Sequence, residues 1–190
     1  MIQYIPDAKY HAVIYDQDGL NYKEFERCTF TDCNFSVCAF KAVTFIDCIF
    51  NHCDFNSTRI NHVAFRTVYF NDCSIKDVNF AMCDPFIFEI HFDNCTLDFL
   101  KFYTLKIKGT TFKDCSLVAV DFMSTDLTAV DFDNCDLYRS EFNKAVANNT
   151  NFKTSFNYTI DPRKTKLKKA LFSLKEVKGL LLHHHIIVEQ

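Results

Sequence analysis

The stretch CTFTDCNFSVCAFKAVTFIDCIFNHCDF, residues 28–55, decides the fold of this 190-residue chain. Its phenylalanines fall at positions 30, 35, 40, 45, 50 and 55, and each of its cysteines sits two places before one of them. A helix buries positions three and four apart, and a simple strand buries every second one. A step of five fits neither. The count therefore belongs to a repeat rather than to a single element.

Outward from this stretch the step persists. Centres fall on every fifth residue from Phe25 to Phe80, and after an interruption they resume at Ile87 and Phe92 and run to Phe152. Seventeen of the 22 phenylalanines are centres, which ties the unusual composition to the repeat. The residue two before a centre is nearly always small or apolar, and the other three are mostly Asn, Asp, Thr, Lys and Ser. Two inward and three outward residues describe one side of a coil that then turns a corner. A longer beat supports this: FTDC, FNHC and FNDC start at Phe30, Phe50 and Phe70, and FDNC, FKDC and FDNC at Phe92, Phe112 and Phe132. Four fives make one coil, so the chain is expected to form an all-β, four-sided helix. From Phe25 to Phe152 that is about six and a half coils, standing roughly 31 Å tall at one strand spacing per coil. Phe92, Phe112 and Phe132, with Cys95, Cys115 and Cys135, are expected to stack as its structural core.

Nine of the ten cysteines sit two places before a centre, and Cys83 two places before the broken slot at Pro85. No C-x-x-C pair with matching His spacing suggests zinc, and a free Cys packs as a small buried hydrophobe. They are read as packing residues, neither disulfides nor metal ligands. His183, His184 and His185 are read as a polar chain end rather than a metal site. No phosphate-binding or hydrolase motif is present, and a filled β-helix offers no dry concave site. The expectation is a protein that is not an enzyme and takes no cofactor or metal. A net charge of −3 argues neither for a nucleic-acid binder nor for an acidic tail, and no direct nucleic-acid binding is expected. No apolar run approaches the ~20 residues that span a bilayer, and the start lacks a signal-peptide pattern. A cytoplasmic protein with no membrane contact is expected.

Three segments follow. Residues 1–20 are a cap or degenerate first coil, 21–160 the repeat with a two-residue interruption near 84–86, and 161–190 a C-terminal cap. At the interruption, FAMCDPFIF, the proline suits a corner bulge; the alternative is a short loop offering Pro85, Phe86 or Phe88 to a partner. In the tail, Asp161-Pro162 suits a helix start, and Ser173 with Glu176 has capping-box spacing. Leu174, Val177, Leu180 and Leu181 then fall at helical spacing, with Ile186 and Val188 in a final strand. An apolar chain end must pack on something, so these residues are expected to cover the last coil and a second copy.

Outward positions just before the centres are acidic at Asp121, Asp126, Asp131, Asp136 and Glu141, with Asp133 beside them. Residues 113–142 carry a net of −5 and residues 153–190 a net of +5. Solvation of the coil accounts for such a band; so does a surface meant for a positively charged groove, because opposite potentials steer encounter.

The pattern closely resembles the pentapeptide-repeat family, whose repeat centres on Phe or Leu with Ala or Cys two places earlier. The tail, with Ile160-Asp161-Pro162 and then Gly179-Leu180-Leu181-Leu182, Ile186 and Val188, is similar to the quinolone-resistance (Qnr) and microcin-immunity branch. The resemblance implies a right-handed quadrilateral β-helix with a short C-terminal helical dimerisation module. It further implies a homodimeric rod that mimics B-form DNA and binds a type II topoisomerase, DNA gyrase or topoisomerase IV, relieving quinolone or toxin poisoning. The alternative is a β-helical scaffold for an unrelated protein.

Overall fold

The computed structural model describes residues 2–184 and 186. The chain winds as a four-sided β-helix, with every strand pairing in parallel with the one a coil away. The first face stacks Gln3–Pro6, Lys23–Glu26, Thr44–Ile46 and Ala64–Arg66, and single bridges from Lys106 to Asp126, Val146 and Lys166 carry it on. The second face is a sheet of nine strands, from Lys9–His11 to Leu171–Phe172. The third runs through bridges from Ile14 to Asn34 and on to Asp136 and Phe156. The fourth pairs Ala39–Lys41 with Arg59–Asn61 and continues through Asn79, Lys101, Asp121 and Glu141. Nine stacked strands make a rod roughly 38 Å tall.

Register puts like on like, as the twenty-residue beat requires. Phe30, Phe50, Phe70, Phe92, Phe112, Phe132 and Phe152 pair or stack in one column, ring over ring. Neighbouring columns meet edge to face, as Phe102 does Phe112 at 6.2 Å and 76°. Both geometries suit the ring quadrupole, and each buried Phe contributes about 1.5–3 kcal/mol over an exposed one.

All ten cysteines are free and buried. Their role goes further than packing. Cys95 Sγ donates to the Phe70 carbonyl at 3.3 Å, and Cys135 Sγ to that of Phe112 at 3.3 Å. Hydroxyls do the same at some of the other slots: Thr58 donates to the Phe35 carbonyl at 2.8 Å and Thr125 to that of Phe102 at 2.9 Å. Val43, Val63 and Val120 fill the same slot without a donor, so it takes a small or apolar side chain, and a donor there adds a hydrogen bond to the preceding coil. Burial pushes the Cys38 thiol up to about 11 and that of Cys48 up to about 12. Thiolate attack is correspondingly suppressed, so a thiol reagent is expected to label none of the ten quickly in the native state and all ten in guanidinium. Several fast native thiols would contradict the inward placement.

The corners explain the outward Asp and Asn. The second residue after a centre lies at positive φ, as at Asp32 (54°), Asp72 (54°), Asn94 (52°) and Asn134 (52°). Asp and Asn tolerate that region better than other non-glycine residues.

Two expectations are corrected. Ile87 is not a centre: it lies at φ 53° and is 57% exposed. Phe88 turns in instead, edge-on to Phe65 at 6.2 Å and Phe80 at 6.3 Å, and Ile90 is buried over Val68 in the slot two before Phe92. The C-terminal helix does not form among the described residues. The step of five carries on past 160: Lys166 bridges Val146, and Phe172 stacks on Phe152 at 5.0 Å. Burying two more centres in an existing column outweighs a helix interrupted by Gly179. Beyond Phe172 the described residues form only short 3-10 turns, Val177–Leu180 and Leu182–His184. Before Phe25 the chain adds a further coil, with Tyr10 and Tyr15 stacked on Phe30 and Phe35 at 4.8 and 4.9 Å.

Candidate functional site

The interior is filled by the residues expected there, Phe92, Phe112, Phe132, Cys95, Cys115 and Cys135 all being buried. Any site is therefore on the outside. Outward side chains are placed by rigid ladders, so their direction follows from which face they occupy.

The acidic run is a belt rather than a patch. Asp121 and Glu141 lie one above the other on the fourth face, Asp126 on the first, Asp131 and Asp133 on the second, and Asp136 on the third. Each also serves its own turn or ladder. Asp121 Oδ1 accepts the Met123 N–H at 2.8 Å, Asp136 that of Tyr138 at 3.0 Å, and Glu141 that of Asn143 at 2.9 Å. Asp131 accepts from Asn151 Nδ2 at 2.8 Å, and Asp133 from Thr154 Oγ1 at 2.8 Å. Asp126 accepts from Thr128 and meets Lys108 Nζ at 3.2 Å; its carboxyl stays below its usual range because those bonds outweigh its partial burial.

Charge separates by side along the rod instead. The second and third faces and the corner between them carry Asp32, Asp54, Asp72, Asp93 and Asp114 in addition to Asp131, Asp133 and Asp136. The fourth and first faces in the C-terminal half carry Lys101, Lys106, Lys108, Lys144, Lys164, Lys166, Lys168 and Lys169. Sequence reasoning missed this two-sidedness; sorting residues modulo twenty instead of along the chain exposes it.

On the acidic side a shallow trough of about 340 Å³ lies between Tyr69 and His91 on one wall and Asp93 and Lys113 on the other. His91 stacks on Tyr69 at 5.0 Å. Its Nδ1 lies 2.9 Å from Thr111 Oγ1 and accepts the Thr111 N–H at 3.3 Å. The ring is held in place, and the neighbouring backbone N–H groups are committed to the ladders.

The bulge splits the residues expected to be offered there. Phe86 is 67% exposed beside an exposed Pro85, its N–H bonded to Asp84 Oδ1 at 2.9 Å, whereas Phe88 faces the core. At the C-terminal end, Leu174 is 95% exposed and Ile186 exposed, while Val177, Leu180 and Leu181 are half-buried. Val188 lies outside the described residues. Asp161 is buried, its carboxyl held well below the usual range first by the Arg163 guanidinium, 2.9–3.0 Å away. Among the described residues no helix is long and apolar enough to cross a membrane.

A family model described as "Pentapeptide repeat region" matches residues 23–85 and 87–158, with its break at the bulge. No curated protein matches the chain. Among solved structures, a trypsin-treated variant of QnrB1, a plasmid-mediated fluoroquinolone resistance protein, superposes with a TM-score of 0.60 at 14% identity, covering 100% of both chains. HetL, a pentapeptide repeat protein involved in heterocyst differentiation regulation from the cyanobacterium Nostoc sp. strain PCC 7120, gives a TM-score of 0.34 at 10% identity, covering 90% of this chain and 85% of that one.

Proposed function

The chain belongs to the pentapeptide-repeat family, and on that premise we propose that it is a non-enzymatic, cytoplasmic DNA mimic that occupies the DNA-binding groove of DNA gyrase or topoisomerase IV. The coil is taken as right-handed, the hand that parallel crossovers adopt. Two copies join end to end through the apolar C-terminal surface at Leu171, Leu174, Leu182 and Ile186, where side chains stand exposed. The observation that carries the reading is the acidic side of the rod, where eight carboxylates from Asp32 to Asp136 are spread over the second and third faces and the corner between them. That surface, rather than the belt, fits a straight basic groove, because a groove meets one side of a rod. The fold shared with a fluoroquinolone resistance protein accords with it.

The test is a gyrase supercoiling assay. Protein alone should inhibit at high concentration by competing with DNA, and at lower concentration it should restore supercoiling in the presence of a quinolone. Both effects should weaken with salt, exposed charges being screened over about 8 Å at physiological ionic strength. Asp114→Asn, Asp133→Asn and Asp136→Asn together should abolish protection. Each carboxylate oxygen now accepts a hydrogen bond, for instance Asp114 Oδ1 from Asn134 Nδ2, and the amide oxygen still can. The matched set Asp121→Asn, Asp126→Asn and Glu141→Gln lies on the other two faces and should protect nearly as well. Equal loss from both sets would show that only total charge matters. No effect on gyrase by the parent would favour the second reading, a scaffold for another protein, for which the exposed Phe86 and Ile87 of the bulge are the observation.

A further inference from the structure

Independently of that reading, we propose that the C-terminal coil binds the phosphate backbone of a nucleic-acid duplex through Lys144, Lys164, Lys166, Lys168 and Lys169. These residues come from two adjacent coils and lie along the first face and the corners at either side of it. The Lys144 N–H donates to the Lys164 carbonyl at 2.8 Å, so the two lysines are stacked neighbours. Lys166 and Lys168 flank Leu167 on the first face, and Lys169 turns the next corner at φ 59°. All five are exposed.

What sets them apart is their clustering, five exposed cations on two adjacent coils. Four cations elsewhere on the rod meet carboxylates: Arg27 with Asp7 and Glu26, Lys108 with Asp126, Lys113 with Asp93, Arg163 with Asp161. Among the described residues none of these five lysines lies within 4 Å of a carboxylate. Like charges stacked in neighbouring strands repel, so the cluster stands ready for an external polyanion. The acidic side does not cancel it, because a coil's width exceeds the ~8 Å over which exposed charge acts in physiological salt.

The kind of polyanion follows from what lies nearby. Single-strand binders stack bases on exposed aromatic rings, and between residues 142 and 172 no aromatic is exposed: Phe142, Phe152 and Tyr158 are buried, Phe156 and Phe172 half-buried. A membrane site needs apolar and basic residues on one side, but exposed Leu171 and Leu174 belong to the second face and its corner, away from the lysines. Point charges without stacking or apolar anchors suit duplex phosphates, read without sequence preference.

The test is fluorescence anisotropy with a labelled 20-base-pair DNA duplex of arbitrary sequence. The parent should bind at 50 mM salt, with log affinity falling against log salt at a slope of about −4, near −0.9 for each of four or five phosphates neutralised. Lys164→Gln, Lys166→Gln and Lys168→Gln together should lower affinity at least about tenfold and flatten the slope by about 2.7. The corresponding Arg variants should retain binding, and Lys9→Gln with Lys76→Gln, on the acidic faces, should change nothing. Absence of duplex binding at 50 mM salt overturns the proposal, as does unchanged binding by the triple Gln variant. Tighter binding of the single strand, or capture by anionic phospholipid vesicles without duplex binding, also overturns it, in favour of a stacking or a membrane site.

Discussion

Phe112→Ala is expected to destabilise the rod by about 3–5 kcal/mol, the usual cost of emptying a large buried aromatic site. Its ring is fully buried, stacked at 5.2 Å on Phe92 and 5.1 Å on Phe132, and flanked edge-on by Phe102 and Phe122. Coils above and below are rigidly laddered, so the void cannot collapse without breaking register, which places the cost at the upper part of the range. Urea denaturation reads it as a lower midpoint. Phe112→Leu is the matched control, since Leu97, Leu117 and Leu137 occupy centres on the adjacent face; it should cost about 1.5 kcal/mol. Phe86→Ala, at the exposed bulge, should stay within about 0.5 kcal/mol of the parent. If Phe112→Ala were as mild as Phe86→Ala, the column would not be the source of stability.

Gly179→Ala is expected to release the segment after Phe172 from the end of the rod. A Cβ at Gly179 would overlap the Tyr158 carbonyl oxygen and lie 2.8 Å from the ring Cδ2. The Gly179 carbonyl also accepts the Ile160 N–H at 3.1 Å, so the two backbones are in direct contact. Neither can yield without losing that bond, and the local cost is about 3 kcal/mol, the upper end for overpacking. Hydrogen exchange should rise across 174–184 while the coils up to Phe152 keep their protection. Light scattering should then show loss of the end-to-end dimer, because its apolar surface no longer has a fixed shape. Retained protection in 174–184 would mean that the segment is not held by this contact.

The repeat itself was legible in the chain because it is local chemistry used many times over. A Phe every fifth residue and a small residue two earlier determine which side chains go inward, how many residues make a coil and which residues stack. Even the coil beyond 160 was present in the spelling, since Leu167 and Phe172 stand twenty residues after Ala147 and Phe152. The helical spacing of Leu174, Val177, Leu180 and Leu181 obscured it, and an extra pair of buried centres outweighs local helical preference. At the bulge, the spacing pointed to Ile87 as the inward residue, but Phe88 turns inward instead, because it fills the gap left beside Phe65 and Phe80. Direction around the rod was decided by the tertiary structure alone. Consecutive fives each turn a corner, so the acidic run from Asp121 to Glu141 encircles the coil, while carboxylates twenty residues apart line up on one side. A net charge of −3 likewise averages two opposite surfaces into one number. Only the winding of the chain, which makes residues neighbours by coil rather than by sequence, separates the acidic faces from the lysine-bearing face and its corners.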